Sequence, residues 1–187
     1  MIFTETPLAG AWTIDVDPIS DERGFFARWY CTREFEEHGL VPVSAQGNMS
    51  FNADPGTLRG LHLQLPPYCE IKLVRCVAGA VYDMIVDTRR DSPTRWQSFG
   101  VELSAENRRA LYVPAGFAHG YQTLTPNAEV MYQVSEFYAP GYEAGLRYDD
   151  PDLGLAWPVA VESVSAKDAA WPLLADIDKE AFGRKPT

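Results

Sequence analysis

Short apolar runs recur along the chain, separated from one another by glycine and proline. IKLVRCV (71–77), AVYDMIVD (80–87), SFGVEL (98–103), ALYVP (110–114) and EVMYQVS (129–135) are rich in Val, Ile, Leu and Tyr, residue types that suit a pleated, half-buried surface. The breaks fall at Pro55-Gly56, Pro66-Pro67, Gly79, Pro93, Pro114 to Gly116, Pro126 and Pro140-Gly141. Strands spaced roughly 8–15 residues apart, with no long helices between them, predict an all-β sandwich or barrel. Helix is expected only at the margins. TREFEEHG (32–39) offers Thr32 as N-cap, Glu34 and Glu36 in the first turn and Gly39 as a stop. A second short helix is expected from Ser165, because Ser165-x-x-Asp168 reads as a capping box, with LLADIDKEAF (173–182) continuing helical after Pro172. The final GRKPT (183–187) reads as a loose tail.

A chain of 187 residues fits one domain spanning 1–187, with no linker or internal repeat to divide it. Hydrophobic residues at 46% exclude a disordered chain. Acidic residues outnumber basic ones, 26 to 16, for a formal charge of -10, which disfavours nucleic acid and anionic membrane as partners. An anionic ligand would therefore have to meet a local basic cluster, for which Arg23, Arg28, Arg59 and Lys72 are the candidates. Cys31, Cys69 and Cys76 are odd in number and lack C-x-x-C spacing, which points to a reducing cytoplasm. The opening MIFTETPLAG has no basic or apolar segment of a signal peptide, and no apolar run approaches the ~18 residues of a membrane span.

The three histidines are the short list for acid-base work, since an unperturbed imidazole titrates at about 6.5. His38 precedes a helix-stopping Gly and reads as surface. His62 lies in TLRGLHLQLPP (57–67), where strict strand alternation puts Leu58, Gly60, His62 and Gln64 on one face and Arg59, Leu61 and Leu63 on the other. His119 lies in VPAGFAHGY (113–121), a turn leading into a strand from which it could reach a barrel mouth. For each histidine a hydrogen-bonded core or turn role stands beside the catalytic one. A mononuclear metal site in such a barrel needs a His-x-His pair, and the second position here is Gln64, so no metal is expected. Lys72 alternates with Val74 and Cys76, which would bury an ammonium unless it snorkels at an edge. Tyr132 alternates with Val130 and Val134 and could be a plain core tyrosine. The capping box by itself accounts for Asp168. Phosphate-binding glycine loops and a Gly-x-Ser-x-Gly elbow are absent from the sequence.

Further segments bear on identity: DERGFF (21–26), Q-x-N-x-S (46–50), LRGLH (58–62), KLVRC (72–76), LSAEN (103–107), FAHG (117–120), EVMYQVSEFYAP (129–140), DDP (149–151), W-P (157–158) and SAKD (165–168). In order and spacing, over nearly the whole chain, they resemble the dTDP-4-dehydrorhamnose 3,5-epimerases, the RmlC-like cupins. The resemblance implies a cupin-type jelly-roll barrel, a homodimer with strand exchange, no metal or other cofactor, and a nucleotide-linked 4-keto-6-deoxyhexose as substrate. Removing the hydrogen at C3 or C5, beside the C4 ketone, gives an enolate, and reprotonation from the opposite face inverts the centre. By resemblance His62 is the base, Asp168 orients and polarises it, Lys72 stabilises the enolate oxygen and Tyr132 is the acid on the other face. His119 matches a sugar contact, and Arg23, Gln46, Asn48 and Arg59 match contacts to the nucleotide or its diphosphate. Tyr138 matches the aromatic that stacks on the base, with Glu143 and Lys167 in further binding positions.

The chain departs from that pattern in three places. Gly47 and Met49 replace the Asp and His of Gln-Asp-Asn-His-Ser, Arg28 replaces a Glu at the nucleotide end, and Gln133 replaces a Lys after the acidic tyrosine. The proton-transfer positions survive, so epimerisation is better supported than the dTDP label. A 3- or 5-mono-epimerase of a CDP- or GDP-linked 4-keto sugar is the alternative within the family. Outside it stand a cupin ketoisomerase or oxygenase and a noncatalytic sugar-nucleotide binding module.

Overall fold

All five apolar runs are strands in the computed structural model, which describes residues 1–179 and 182. The chain begins with β1 (Ile2–Glu5), β2 (Trp12–Asp15), the hairpin β3 (Ile19–Asp21) and β4 (Gly24–Phe26), and helix α1 (Thr32–Glu37). It continues through β5 (Gln46–Asn52), β6 (Thr57–Gln64), β7 (Lys72–Ala78), β8 (Ala80–Asp87), β9 (Ser98–Ser104), β10 (Ala110–Val113), β11 (Phe117–Thr123) and β12 (Ala128–Val134). It closes with β13 (Glu143–Gly145), β14 (Ser163–Val164) and α2 (Ala166–Ala169). One sheet runs β1-β2-β10-β7-β12-β5 and a second β13-β6-β11-β8-β9, with β14 added parallel to β6. The other pairings are antiparallel, and the two sheets face each other as a jelly roll, as expected from the sequence.

Alternation assigns the space between the sheets. Val74 and Cys76 of β7, Val81 and Ile85 of β8, Phe117 and Tyr121 of β11 and Val130 of β12 meet in the main core, with Tyr132 packed against it. The outer face of the second sheet is not left wet. Leu61, Leu63, Met84, Val86 and Ala118 are covered by Leu146, Leu153 and Leu174 from the C-terminal stretch. Phe35 of α1 with Leu40 and Val43 covers Ile14, Leu73 and Tyr112 on the outer face of the first sheet. Coverage on both faces explains why β8 reads as a nearly unbroken apolar run rather than a clean alternation.

Three local expectations are corrected. Thr32 opens α1 but does not cap it: the N-cap is Cys31, with no side-chain cap bond. Residues 173–179 form turns instead of helix, because Leu174 and Ile177 are drawn onto the outer face of the second sheet and the Leu174 N–H is taken by the Asp150 carboxylate. The third concerns β6. His119 pairs with His62 while Tyr121 pairs with Arg59, so β6 carries one extra residue between them. The bulge resets the alternation, and Arg59 shares the inner face with His62 instead of opposing it. Gly60 sits in the bulge at φ +121, where a Cβ would lie 2.5 Å from the Gly120 Cα. The proposed tail, 183–187, lies outside the described residues.

Candidate active site

His62 projects from β6 into one end of the space between the sheets, with 42% of its side chain exposed. Its Nε2 lies 2.6 Å from Oδ1 of Asp168, and the Gly60 N–H donates to Oδ2 at 3.3 Å. The capping box is only half made. The Asp168 N–H donates to Ser165 Oγ at 3.0 Å, while the Asp168 carboxylate points at the histidine. Burial alone would raise this carboxyl, but the His62 hydrogen bond and charge, the Gly60 N–H and Ser165 outweigh it and hold it below the usual range. Asp168 is therefore an anion at neutral pH. It occupies Nε2 and leaves Nδ1 as the free ring nitrogen. Trp171 stands edge-on to the imidazole, ring centroids 6.1 Å apart, and lies against Gly145, the cross-strand neighbour of His62.

His119, on the neighbouring strand, is buried, with Nε2 3.0 Å from each carboxylate oxygen of Asp83. Asp83 is 0% exposed and reaches the interior from β8. Lys72, at the start of β7, is buried as its alternation with Val74 and Cys76 implies, and does not snorkel. Its Nζ lies 3.0 Å from Glu70 Oε1 and donates to the His62 carbonyl at 3.4 Å. Tyr132 faces inward from β12, on the opposite sheet from His62. Burial pushes its hydroxyl up, and the charge of Glu70 and Tyr121 adds to this against Arg59. The phenol is protonated at neutral pH, and it makes no hydrogen bond to another described residue.

A polar strip continues from this end along the inner face of β5. Gln46, Asn48, Ser50 and Asn52 alternate inward, and Asn48 pairs with Tyr132. Arg59 Nε donates to Asn52 Oδ1 at 2.7 Å. The Tyr138 N–H donates to Gln46 Oε1 at 2.7 Å, and its hydroxyl donates to Glu143. That hydrogen bond, foremost among the causes, holds the Glu143 carboxyl low. Lys167 Nζ stands 3.9 Å from Glu143 and over the Trp171 ring.

Two residues of the expected basic cluster are elsewhere. Arg23 is 82% exposed at the tip of the β3–β4 hairpin and pairs with Asp21. Arg28 pairs with Glu34 at 3.3 Å. Within one chain, then, the cluster reduces to Arg59 and Lys72, with Lys167 nearby. Sequence reasoning missed Asp83, Glu70 and Trp171. Asp83 had a signal, an acid alternating with Val81 and Ile85 in an apolar strand, and Glu70 stands two residues before the buried lysine. Trp171 had none, because its place follows from the covering of the second sheet.

Comparison with known proteins gives one consistent result. The dTDP-4-dehydrorhamnose 3,5-epimerase family profile matches residues 5–176. The dTDP-4-dehydrorhamnose 3,5-epimerase of Salmonella typhimurium is 42% identical over 176 residues, covering 93% of this chain and 96% of that one. The crystal structure of the dTDP-6-deoxy-D-glucose-3,5-epimerase of Legionella pneumophila, in complex with dTDP-4-keto-L-rhamnose, is 39% identical with a TM-score of 0.88, covering 100% of this chain and 99% of that one. A 3'-monoepimerase from Streptomyces bikiniensis in complex with dTDP-quinovose is 36% identical with a TM-score of 0.83, covering 91% of this chain and 86% of that one.

Proposed function

The chain belongs to the dTDP-4-dehydrorhamnose 3,5-epimerase family, and from that membership we propose that it inverts C3 and C5 of dTDP-4-dehydro-6-deoxyglucose with His62 as base and Tyr132 as acid. The observation that carries the assignment is that the two groups come from opposite sheets and face the same space, His62 backed by an ionised carboxylate and Tyr132 protonated. His62 Nδ1 takes the proton from the carbon beside the ketone, and the bonding pair becomes the enolate π bond as the C4 oxygen gains charge. Asp168 stabilises the resulting imidazolium. Lys72 supplies positive charge to the enolate oxygen from a water-poor wall, and His119, oriented by Asp83, contacts the sugar. The Tyr132 O–H then delivers a proton to the opposite face of the carbon. Solvent returns a proton to the phenolate and removes one from His62, so the cycle closes without net oxidation.

Gln46, Asn48 and Arg59 bind the nucleotide or diphosphate, Tyr138 stacks on the base, and Glu143 and Lys167 hold that end of the site. Arg23 and Arg28 need a second copy to serve the same ligand, so the working unit is a homodimer. Its support is the β3–β4 hairpin, which pairs with no other described strand and holds Ile19 and Phe26 in solvent, and the exposed Met49, Phe51 and Met131 beside the β5 edge. No described helix is long and apolar enough to cross a membrane. That, with free Cys31, Cys69 and Cys76, fits action in the cytoplasm as one domain.

The test is proton NMR in D2O on dTDP-4-keto-6-deoxyglucose beside its CDP and GDP analogues. Deuterium entering both C3 and C5 of the dTDP sugar is the expected result. Exchange at one carbon only would move the protein to the mono-epimerases, and no exchange with any of the sugars would sink the reading.

A further inference from the structure

Gln64 stands where the sequence interrupts a His-x-His pair, and no proton-transfer step uses it. It is 4% exposed, yet its amide is engaged at both ends. Nε2 donates toward the carbonyl oxygens of Tyr68 and Phe137, each at 3.1 Å, and toward Glu70 Oε2 at 3.2 Å, while Oε1 accepts the Ala139 N–H at 2.7 Å. Three acceptors share two amide hydrogens, so the group has no spare capacity. Phe137 and Ala139 flank Tyr138. The other oxygen of Glu70 holds Lys72.

We propose that Gln64 is a positioning residue that locks the Tyr138 segment and the Glu70–Lys72 ion pair into one register, so that a single buried amide sets both the nucleotide end and the reacting end of the substrate site. The proposal rests on the epimerase reading. Residues 137–141 belong to no strand, so their order depends on tethers. Gln64 supplies two, the half-buried Gln46 one at the Tyr138 N–H, and the half-buried Glu143 two, at the Gly141 N–H, 2.8 Å away, and at the Tyr138 hydroxyl. Gln64 alone among the three is buried and also bonds to the partner of Lys72. A lysine ammonium on a four-carbon stem has no directional preference of its own, and Glu70 gives it one. A carboxylate in a site for a diphosphate works against binding through like charge, and holding Lys72 in place is what it contributes in return.

The test compares wild type, Gln64→Met and Glu70→Gln by calorimetric titration with dTDP alone and by the rate of deuterium incorporation into dTDP-4-keto-6-deoxyglucose. Gln64→Met keeps volume and removes the tethers. Its dissociation constant for dTDP should rise about tenfold, as for loss of the hydrogen bonds from a buried amide that order the Tyr138 segment, and its kcat should fall by about 10 to 10²-fold through misplacement of Lys72. Glu70→Gln should lower kcat without weakening dTDP binding, because the loop tethers remain and a like charge is removed. A merely structural role would lower Tm while leaving both constants of the folded protein unchanged, and that outcome overturns the proposal. If Gln64→Met does not fold, Gln64→Glu keeps the shape and the bond from Ala139 but sets a carboxylate against Glu70. Adding Glu70→Gln should then restore part of both losses, and purely additive losses would count against the coupling. A wild type that exchanges no deuterium sinks the epimerase reading together with this proposal. A wild type that exchanges beside an unaltered Gln64→Met sinks this proposal alone.

Discussion

His62 presents Nδ1 to the interior because Asp168 occupies Nε2 at 2.6 Å. The same contact makes Asp168 a probe of the site. Its carboxyl is lower in the folded protein than in the unfolded chain, so deprotonation favours folding: the contribution is full above the unfolded pKa and is lost as pH falls through the folded one. Wild type should therefore exceed Asp168→Asn in stability near pH 5, with the margin closing toward more acid pH. Urea titrations of both proteins across that range check it, and a margin that grows with acidification would contradict the assignment. In activity, Asp168→Asn should cost about 10²-fold or more, in line with loss of an oriented base. At this scale the sequence was informative wherever alternation held, as for Lys72 and Tyr132. It was ambiguous for Asp168, because one motif, Ser165-x-x-Asp168, serves both a helix cap and a carboxylate–histidine contact. Only the approach of α2 to β6 decides which of the two the carboxylate joins.

β6 shows why alternation could not place Arg59. A strand pattern counts residues, and a bulge adds one without leaving an apolar or polar mark, so the sequence put Arg59 opposite His62 when the two share a face. The available hint was Gly60, a glycine inside a strand. Its φ of +121 and the backbone of Gly120 and His119 within 2.5 to 2.8 Å of a Cβ leave no room for a side chain. Gly60→Ala should cost about 1–3 kcal/mol of stability and should separate Arg59 from His62, lowering dTDP affinity. Chemical denaturation and calorimetry on the same preparation measure both, and a fully stable, tightly binding variant would show that the bulge is not required. The apolar strands were legible because burial on one or both faces writes itself into Val, Ile and Leu content. The turns at 173–179 were not, since a helix-compatible composition there is overridden by Leu174 and Ile177 docking on the second sheet.

A net charge of -10 makes the protein as a whole repel a nucleotide diphosphate sugar, so affinity must come from a few placed cations. One chain collects Arg59, Lys72 and Lys167, and it holds Arg23 out on a hairpin with apolar Ile19 and Phe26 around it. In the proposed dimer the residues that complete the site come from another copy, an arrangement that no pattern within a single chain could show. Arg23→Ala and His62→Asn, each nearly inactive when pure, should regain activity when mixed and allowed to exchange subunits, since a mixed dimer contains one site with both residues intact. Mixtures no more active than their components would place Arg23 outside the neighbouring site.

The opposite-face pairing of His62 and Tyr132 is the central claim, and one proton NMR time course in D2O tests it, following dTDP-4-keto-6-deoxyglucose with wild type, His62→Asn and Tyr132→Phe. The expected result is deuterium at C3 and C5 with inversion for wild type, loss of both by about 10²- to 10⁴-fold for His62→Asn, and for Tyr132→Phe, exchange that continues with retention while inversion is largely lost. Equal loss of exchange and inversion in Tyr132→Phe, or full exchange in His62→Asn, would contradict it.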